Sequence, residues 1–230
     1  MTNIELPKYY PEISLADELD RQRQESTERV AVPLGIDRAT FQVKLPSKWP
    51  ERGKNYDEYA LKVPLISLDL TPFGFSWLQV TEAALYYDPE NPNEVIKPFI
   101  WDELRKTDNG KDRLRVWRDP RKGIEPFPQV PHAVWIQDGT RYAAGQSPRD
   151  VRRNLNVVER AGDHFKGTSL NLLRPDMFKN MWWYFVGGQL GSGGVPYGYW
   201  DSGPGFGASW DADPYDGFRP LVSGSEYSVA

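Results

Sequence analysis

In a chain of 230 residues, the residues best suited to chemistry are few, and most fail on spacing. The run Asp211-Ala-Asp213-Pro-Tyr-Asp216-Gly217 has the outline of a calcium loop, in which alternate carboxylates ring the ion and a glycine permits the turn. Its third carboxylate comes one place late, and Val222 stands at the twelfth position, where a bidentate glutamate belongs. The run therefore reads as a turn built on Asp-Pro and Asp-Gly. The stretch Gly188 to Gly194 lacks the Lys-Ser/Thr end of a phosphate-binding loop, and Gly203-Pro-Gly205-Phe-Gly207 lacks the spacing of a dinucleotide fingerprint. No serine sits in a Gly-x-Ser-x-Gly elbow. The absence of cysteine excludes thiolate nucleophiles and cysteine-ligated metals, and His132 and His164 alone fall short of a three-histidine zinc site. The 32 acidic residues leave room for a glycosidase-type carboxylate pair, but no spacing singles one out. Neither a catalytic residue nor a metal or other cofactor is expected.

What the chemistry-bearing residues do suggest is binding. Residues 187–230 hold 11 of the 20 glycines and carry a formal charge of −4, the same as the whole chain, so residues 1–186 are balanced. Among those glycines, and between Pro196, Pro204, Pro214 and Pro220, stand Tyr197, Tyr199, Trp200, Phe206, Trp210, Tyr215, Phe218 and Tyr227. That spacing predicts no regular element. A glycine-rich chain loses much entropy on ordering, more than these rings return by touching one another. The segment is expected to be an acidic arm lying against a larger surface: the body's own sheet edge, another subunit or a ligand. Aromatic side chains are the usual anchors of protein interfaces, which makes the first seven rings candidate partner-binding residues.

A receiving surface for such an arm is Lys111 to Gly123, where Lys111, Arg113, Arg115, Arg118, Arg121 and Lys122 outnumber Asp112 and Asp119. Arg113, Arg115, Trp117 and Arg118 complete the candidate partner-binding set, and a solvated hairpin is the plainer reading of the same patch. A sequence pI near 5.4 argues against nucleic acid as a partner outside this strip and the arginines of 148–161. A carbohydrate partner would use exposed rings with neighbouring carboxylates, here Trp200, Asp201, Trp210 and Asp211.

The elements that must position these residues follow from periodicity and punctuation. Ser14, with Asp17 three residues on, predicts a short N-terminal helix supported by Asp17/Arg21 and Glu25/Arg29. Phe41, Val43 and Leu45 alternate as in a half-buried strand. Tyr59, Leu61, Val63 and Leu65 form a second alternating set, which shifts phase beyond Pro64 to Ile66, Leu68 and Leu70, the mark of a bulge or corner. Trp77 to Tyr87 is a further strand candidate. Asn109-Gly110 and Asp138-Gly139 are hairpin turns, the second pairing Trp135 with Tyr142; Trp101 to Lys106 also fits a helical turn. Ser147-Pro148-Arg149-Asp150 predicts a helix over 148–161 ending at Gly162, and Pro175 opens another with Met177, Met181 and Phe185 in register.

Forty Pro and Gly residues in all disfavour long helices. The expectation is a mainly β protein, a two-sheet sandwich or jelly-roll-like body with two or three short helices. Its parts are an N-terminal arm over 1–30, a body over 31–186 and the C-terminal arm over 187–230. Met1 to Tyr10 lacks the basic start and apolar core of a signal peptide, and no window nears the roughly 20 apolar residues of a membrane span. The chain is thus read as a non-enzymatic structural subunit made in the cytoplasm and contacting other protein subunits through its termini. A virion component is the specific form of that reading. A carbohydrate-binding module or glycosidase is the alternative, and a hydrolase of unfamiliar type a third.

Overall fold

The structure is a computed structural model that describes residues 14–45, 61–88, 91, 93–108, 111–121, 130–137, 141–142, 145–179 and 181–224. From the N-terminus the elements are α1 (Leu15–Ser26), β1 (Leu61–Ser67), α2 (Trp77–Ala83), β2 (Tyr86–Tyr87), β3 (Val95–Ile96), β4 (Phe99–Ile100), α3 (Asp102–Arg105), β5 (Thr107–Asp108), β6 (Lys111–Asp112), β7 (Leu114–Val116) and β8 (His132–Gln137). They continue with α4 (Pro148–Asn154), β9 (Glu159–Ala161), α5 (His164–Leu173), α6 (Pro175–Lys179), β10 (Trp182–Tyr184), β11 (Gly188–Leu190), β12 (Gly194–Trp200), β13 (Pro204–Trp210), β14 (Phe218–Pro220) and β15 (Val222–Gly224). The fold is β-rich, with six α-helices among the described residues against the two or three expected. None of them is long and apolar enough to cross a membrane.

The first sheet runs β1-β8-β15-β9 and the second β14-β10-β12-β13-β4. The Ser14 hydroxyl accepts the Asp17 N–H and opens α1 as its spacing predicts. Helix α1 does more than cover a surface. Its buried Gln22 accepts the Ile66 N–H on Oε1 at 2.8 Å and donates from Nε2 to the Pro64 carbonyl at 2.9 Å, so one carboxamide closes the outer edge of β1 as a neighbouring strand would. Arg21 pairs with Glu18 and Glu25 instead of Asp17, while Glu25–Arg29 forms as expected. The β1–β8 register shifts between Leu61 and Val63, close to the proline that predicted an irregularity. Val63, Leu65, Ile66, Leu68 and Leu70 are all buried, so the phase change marks a segment covered on both faces.

Helix α5 is buried at all ten positions and touches both β1 of the first sheet and β12 of the second. The two sheets join where Leu221 separates β14 from β15. There the Leu221 N–H donates to the Tyr184 carbonyl at 2.7 Å, and the Leu221 carbonyl accepts from Gly162 at 2.8 Å. A Cβ on Gly162 would come within 2.7 Å of that same carbonyl oxygen, so this crossing tolerates only glycine.

The largest correction concerns residues 187–224, which form five strands, four of them in the two larger sheets and β11 paired with β7, where an irregular arm was expected. The prolines sit where a ladder permits them: Pro204 begins β13, and Pro196 lies just past the β10–β12 pairing. Tertiary packing overrides the low strand preference of glycine here. Other expectations also shift. Residues 41–45 form no strand, only a bridge from Lys44 to His132. Trp77 to Ala83 is helix, held by a reciprocal Ser76/Gln79 capping box. The helix expected over 148–161 stops at Asn154, because the Arg121 guanidinium takes the Leu155, Asn156 and Glu159 carbonyls at 3.1, 2.5 and 2.7 Å and holds the chain in a turn that leads into β9. Helix α6 is short; Met181 and Phe185 flank β10. Trp135 faces Pro64 of β1 instead of Tyr142. Asp108 pairs with Lys111 across the first hairpin, whereas Asn109-Gly110, Asp138-Gly139, Tyr59, Lys122 and Tyr227 lie outside the described residues.

Candidate interaction surface: the outer face of the second sheet

Alternation along β10, β12, β13 and β14 sends one set of side chains towards α5 and the other outward. The outward set is aromatic. Trp182 is cross-strand from Tyr199, and Tyr184 is opposite Tyr197. The Trp182 ring stacks on Tyr199 at 4.8 Å and 22°, and on Tyr197 at 5.7 Å and 22°. Tyr184 stacks on Phe218 at 4.4 Å, and Tyr215 lies 5.4 Å beyond Phe218. Tyr199 and Tyr197 face Gly205 and Gly207 of β13. A Cβ on Gly205 would meet the Tyr199 ring at 2.2 Å, and one on Gly207 the Tyr197 ring at 2.6 Å. Glycine therefore lets the rings lie down over the neighbouring strand, which gives this glycine-rich sequence its regular pairing.

One end of this face is closed and the other open. At the closed end Tyr184 and Val195 pack with Val151 of α4, with Leu155 just beyond it and with Tyr142. At the open end Trp182, Trp101 and Tyr215 remain 41%, 44% and 44% exposed. Burial raises the phenol pKa of Tyr184, Tyr197 and Tyr199, and the nearby Asp201 carboxylate raises that of Tyr199 further. Asp201 stands in the β12–β13 connection and Asp213 and Asp216 in the β13–β14 connection, and among the described residues none forms a salt bridge. Asp211 differs: it holds Arg152 at 2.7 Å and Arg149 at 3.3 Å. Arg152 also donates to the carbonyls of Val186 and Gly188, and its guanidinium lies 5.1 Å from the Trp117 ring centroid. This knot ties α4 to β11 and removes Asp211 and Trp117 from the free surface.

Of the residues expected to bind a partner, the structure brings Tyr197, Tyr199, Tyr215 and Phe218 together. Trp200 packs on the main core with Lys179 5.2 Å from its ring, and Phe206 is fully buried against Trp77, Phe178 and Phe185. Trp210 is 63% exposed at the far end of β13. Arg113, Arg115, Trp117 and Arg118 lie in or beside β7, whose strand partner is β11 of the same chain. Trp182 and Trp101 were missed. Period-two alternation in Met181–Val186 would have placed Trp182 opposite Trp183, had the run been read as a strand with one open face.

A second concentration of ionisable groups is internal. Asp163 caps α5 by accepting the Lys166 N–H, and its carboxylate takes the fully buried Lys166 ammonium at 2.6 Å. Burial pushes the Asp163 carboxyl up, but the Lys166 ammonium outweighs it and holds it below the ordinary value. Burial pushes His132 down to about 3, with Lys166 adding to the effect, and His164 down to about 4. Burial raises Asp69, less the opposing bonds from Thr71. This is a closed ion pair between neutral imidazoles, a structural arrangement. An apolar groove of about 390 Å³ between α1 and Val43–Leu45 is edged by Asp20 and Arg23, which pair with each other. No group of three or more potential metal ligands occurs among the described residues. Set against known protein families, characterised proteins and solved structures, the chain matches none of them.

Proposed function

We propose that this chain is a non-enzymatic subunit of a larger protein assembly and that the open end of the second sheet's outer face is its subunit contact. One observation carries the reading: Trp182, Tyr199, Tyr197, Tyr215, Phe218 and Trp101 form a continuous aromatic surface, with its outermost rings two-fifths exposed or more. Interface cores are enriched in Trp, Tyr and Phe because rigid rings bury large areas at little entropic cost. In the finer reading the two larger sheets are the layers of a sandwich-like body held at Leu221, and the assembly is a virion. A carbohydrate would use the same rings differently. It needs ring faces free for stacking, whereas Trp182 turns a face to Tyr199 and Tyr197.

The test is the native mass of the purified chain by light scattering. The reading expects a species larger than the 26.4 kDa monomer, and Trp182→Ser with Tyr215→Ser expects a return to monomer with unchanged circular dichroism. A wild-type chain that stays monomeric at every concentration overturns it.

A further inference from the structure

We infer that the acidic aromatic face receives the arginine-bearing edge of β7 from a second copy of this chain, in a head-to-tail contact. The inference rests on the assembly reading above and names its partner. The two surfaces complement each other in charge and in chemistry. At the receiving face Asp201, near Tyr199, and Asp216, next in sequence to Tyr215, are exposed, and Asp213, near Tyr184, is half-buried. At the other surface Arg115 and Arg118 are exposed and, among the described residues, have no ion-pair partner. Val116 between them is 54% exposed. A guanidinium stacks on an aromatic face and pairs with a carboxylate through two N–H groups at once, so arginines beside a small apolar residue fit rings rimmed by carboxylates.

Among the described residues the surfaces do not satisfy each other within one chain. The acids that arginines reach in cis are already engaged: Asp211 by Arg149 and Arg152, Asp119 by Arg121. Two acidic faces brought together would repel, so a two-fold dimer through this face is disfavoured. A contact between two different faces leaves each copy with one of each unsatisfied, and it propagates into a ring or a filament.

Sedimentation velocity on the full chain across a range of concentrations tests this with two variants, R115E/R118E and D201K/D213K/D216K. Each variant alone is expected to be monomeric. Mixed in equal amounts they are expected to assemble again in alternation, since the unaltered acidic face meets the unaltered arginines and the lysine face meets the glutamates. A chain carrying all five substitutions is expected to assemble again, and association of the wild type should weaken from about 0.1 M to about 1 M salt as the screening length falls from about 10 Å to about 3 Å. If R115E/R118E assembles like the wild type while Trp182→Ser does not, the partner surface is elsewhere and the assembly reading survives. A wild type that is monomeric throughout overturns both.

Discussion

On the inner face of the second sheet, Trp183 and Phe206 lie at 0% exposure against the α5 and α6 side of the core; on its outer face Trp182 and Tyr215 keep 41% and 44%. Trp182 and Trp183, adjacent in one strand and of one residue type, thus have opposite fates. Hydrophobicity cannot separate them, because each ring would gain by burial. What separates them is whether another element has a face to offer, and α5 and α6 offer theirs to one side only. An aromatic residue in such a strand is a core residue where a helix crosses it and an interface candidate where none does.

The strongest way to break that comparison is to remove a ring from the covered side. Phe206 meets Trp77, Phe178 and Phe185 within about 6 Å of ring-centre separation. Phe206→Ala is expected to lower unfolding free energy by about 3 to 5 kcal/mol, the cost of a large buried cavity, with assembly intact in whatever fraction remains folded. Urea denaturation reads it. A loss under about 1 kcal/mol would mean that the inner face is not the tightly packed core described here.

Acid sharpens the contrast between buried charge inside and free charge outside. His132 and His164 titrate near 3 and 4 when folded but near 6.5 when unfolded, so between those values the unfolded chain binds more protons. Stability is present above pH about 6.5 and is lost as pH falls from there towards 4, by about 2 kcal/mol per histidine at pH 5. Asp69 works the other way: its raised folded pKa relieves a penalty on acidification, offsetting part of the loss in the carboxylate range. Denaturation at pH 7 and pH 5 measures the difference, and His164→Phe is expected to remove about half of it. An equal midpoint at both pH values would show that the imidazoles are not buried neutral.

How much of this was legible in the sequence depends on what each signal encodes. Caps are local, so Ser14, Ser147 and Pro148 located the starts of α1 and α4. Stops are tertiary. Arg121 ends α4 from a segment 33 residues away in sequence, measured from Arg121 to Asn154, and no propensity records that. Helix α5 was hidden by His164, Lys166, Thr168, Ser169 and Asn171, which look like a solvated surface, although Asp163 takes the Lys166 ammonium, Trp77 donates to the Thr168 hydroxyl and the Leu68 N–H donates to that of Ser169. The C-terminal strands were hidden by their glycines. Gly198, Gly205 and Gly207 read as chain-breakers one at a time, yet each alternates with an aromatic residue, and each leaves room for a ring from elsewhere. The pattern of period two was present there, carried by absence of side chain at one position and large size at the next.

The smallest expected effect is the one that decides what the outer face is for. Trp182 loses, on truncation, its stacking on Tyr199 and Tyr197 and its edge contact with Phe218, but it leaves a gap open to solvent, not a sealed cavity. The cost to folding of Trp182→Ala is therefore expected to be about 0.5 to 1.5 kcal/mol, the range of aromatic pair contacts, and well below that of Phe206→Ala. Measured on dilute protein, where association cannot add to stability, a loss as large as that of Phe206→Ala would make the outer face a second core. A small loss accompanied by abolished self-association would separate the two faces by function as cleanly as their exposure separates them by structure: Phe206 keeps the fold, and Trp182 is kept for the neighbour.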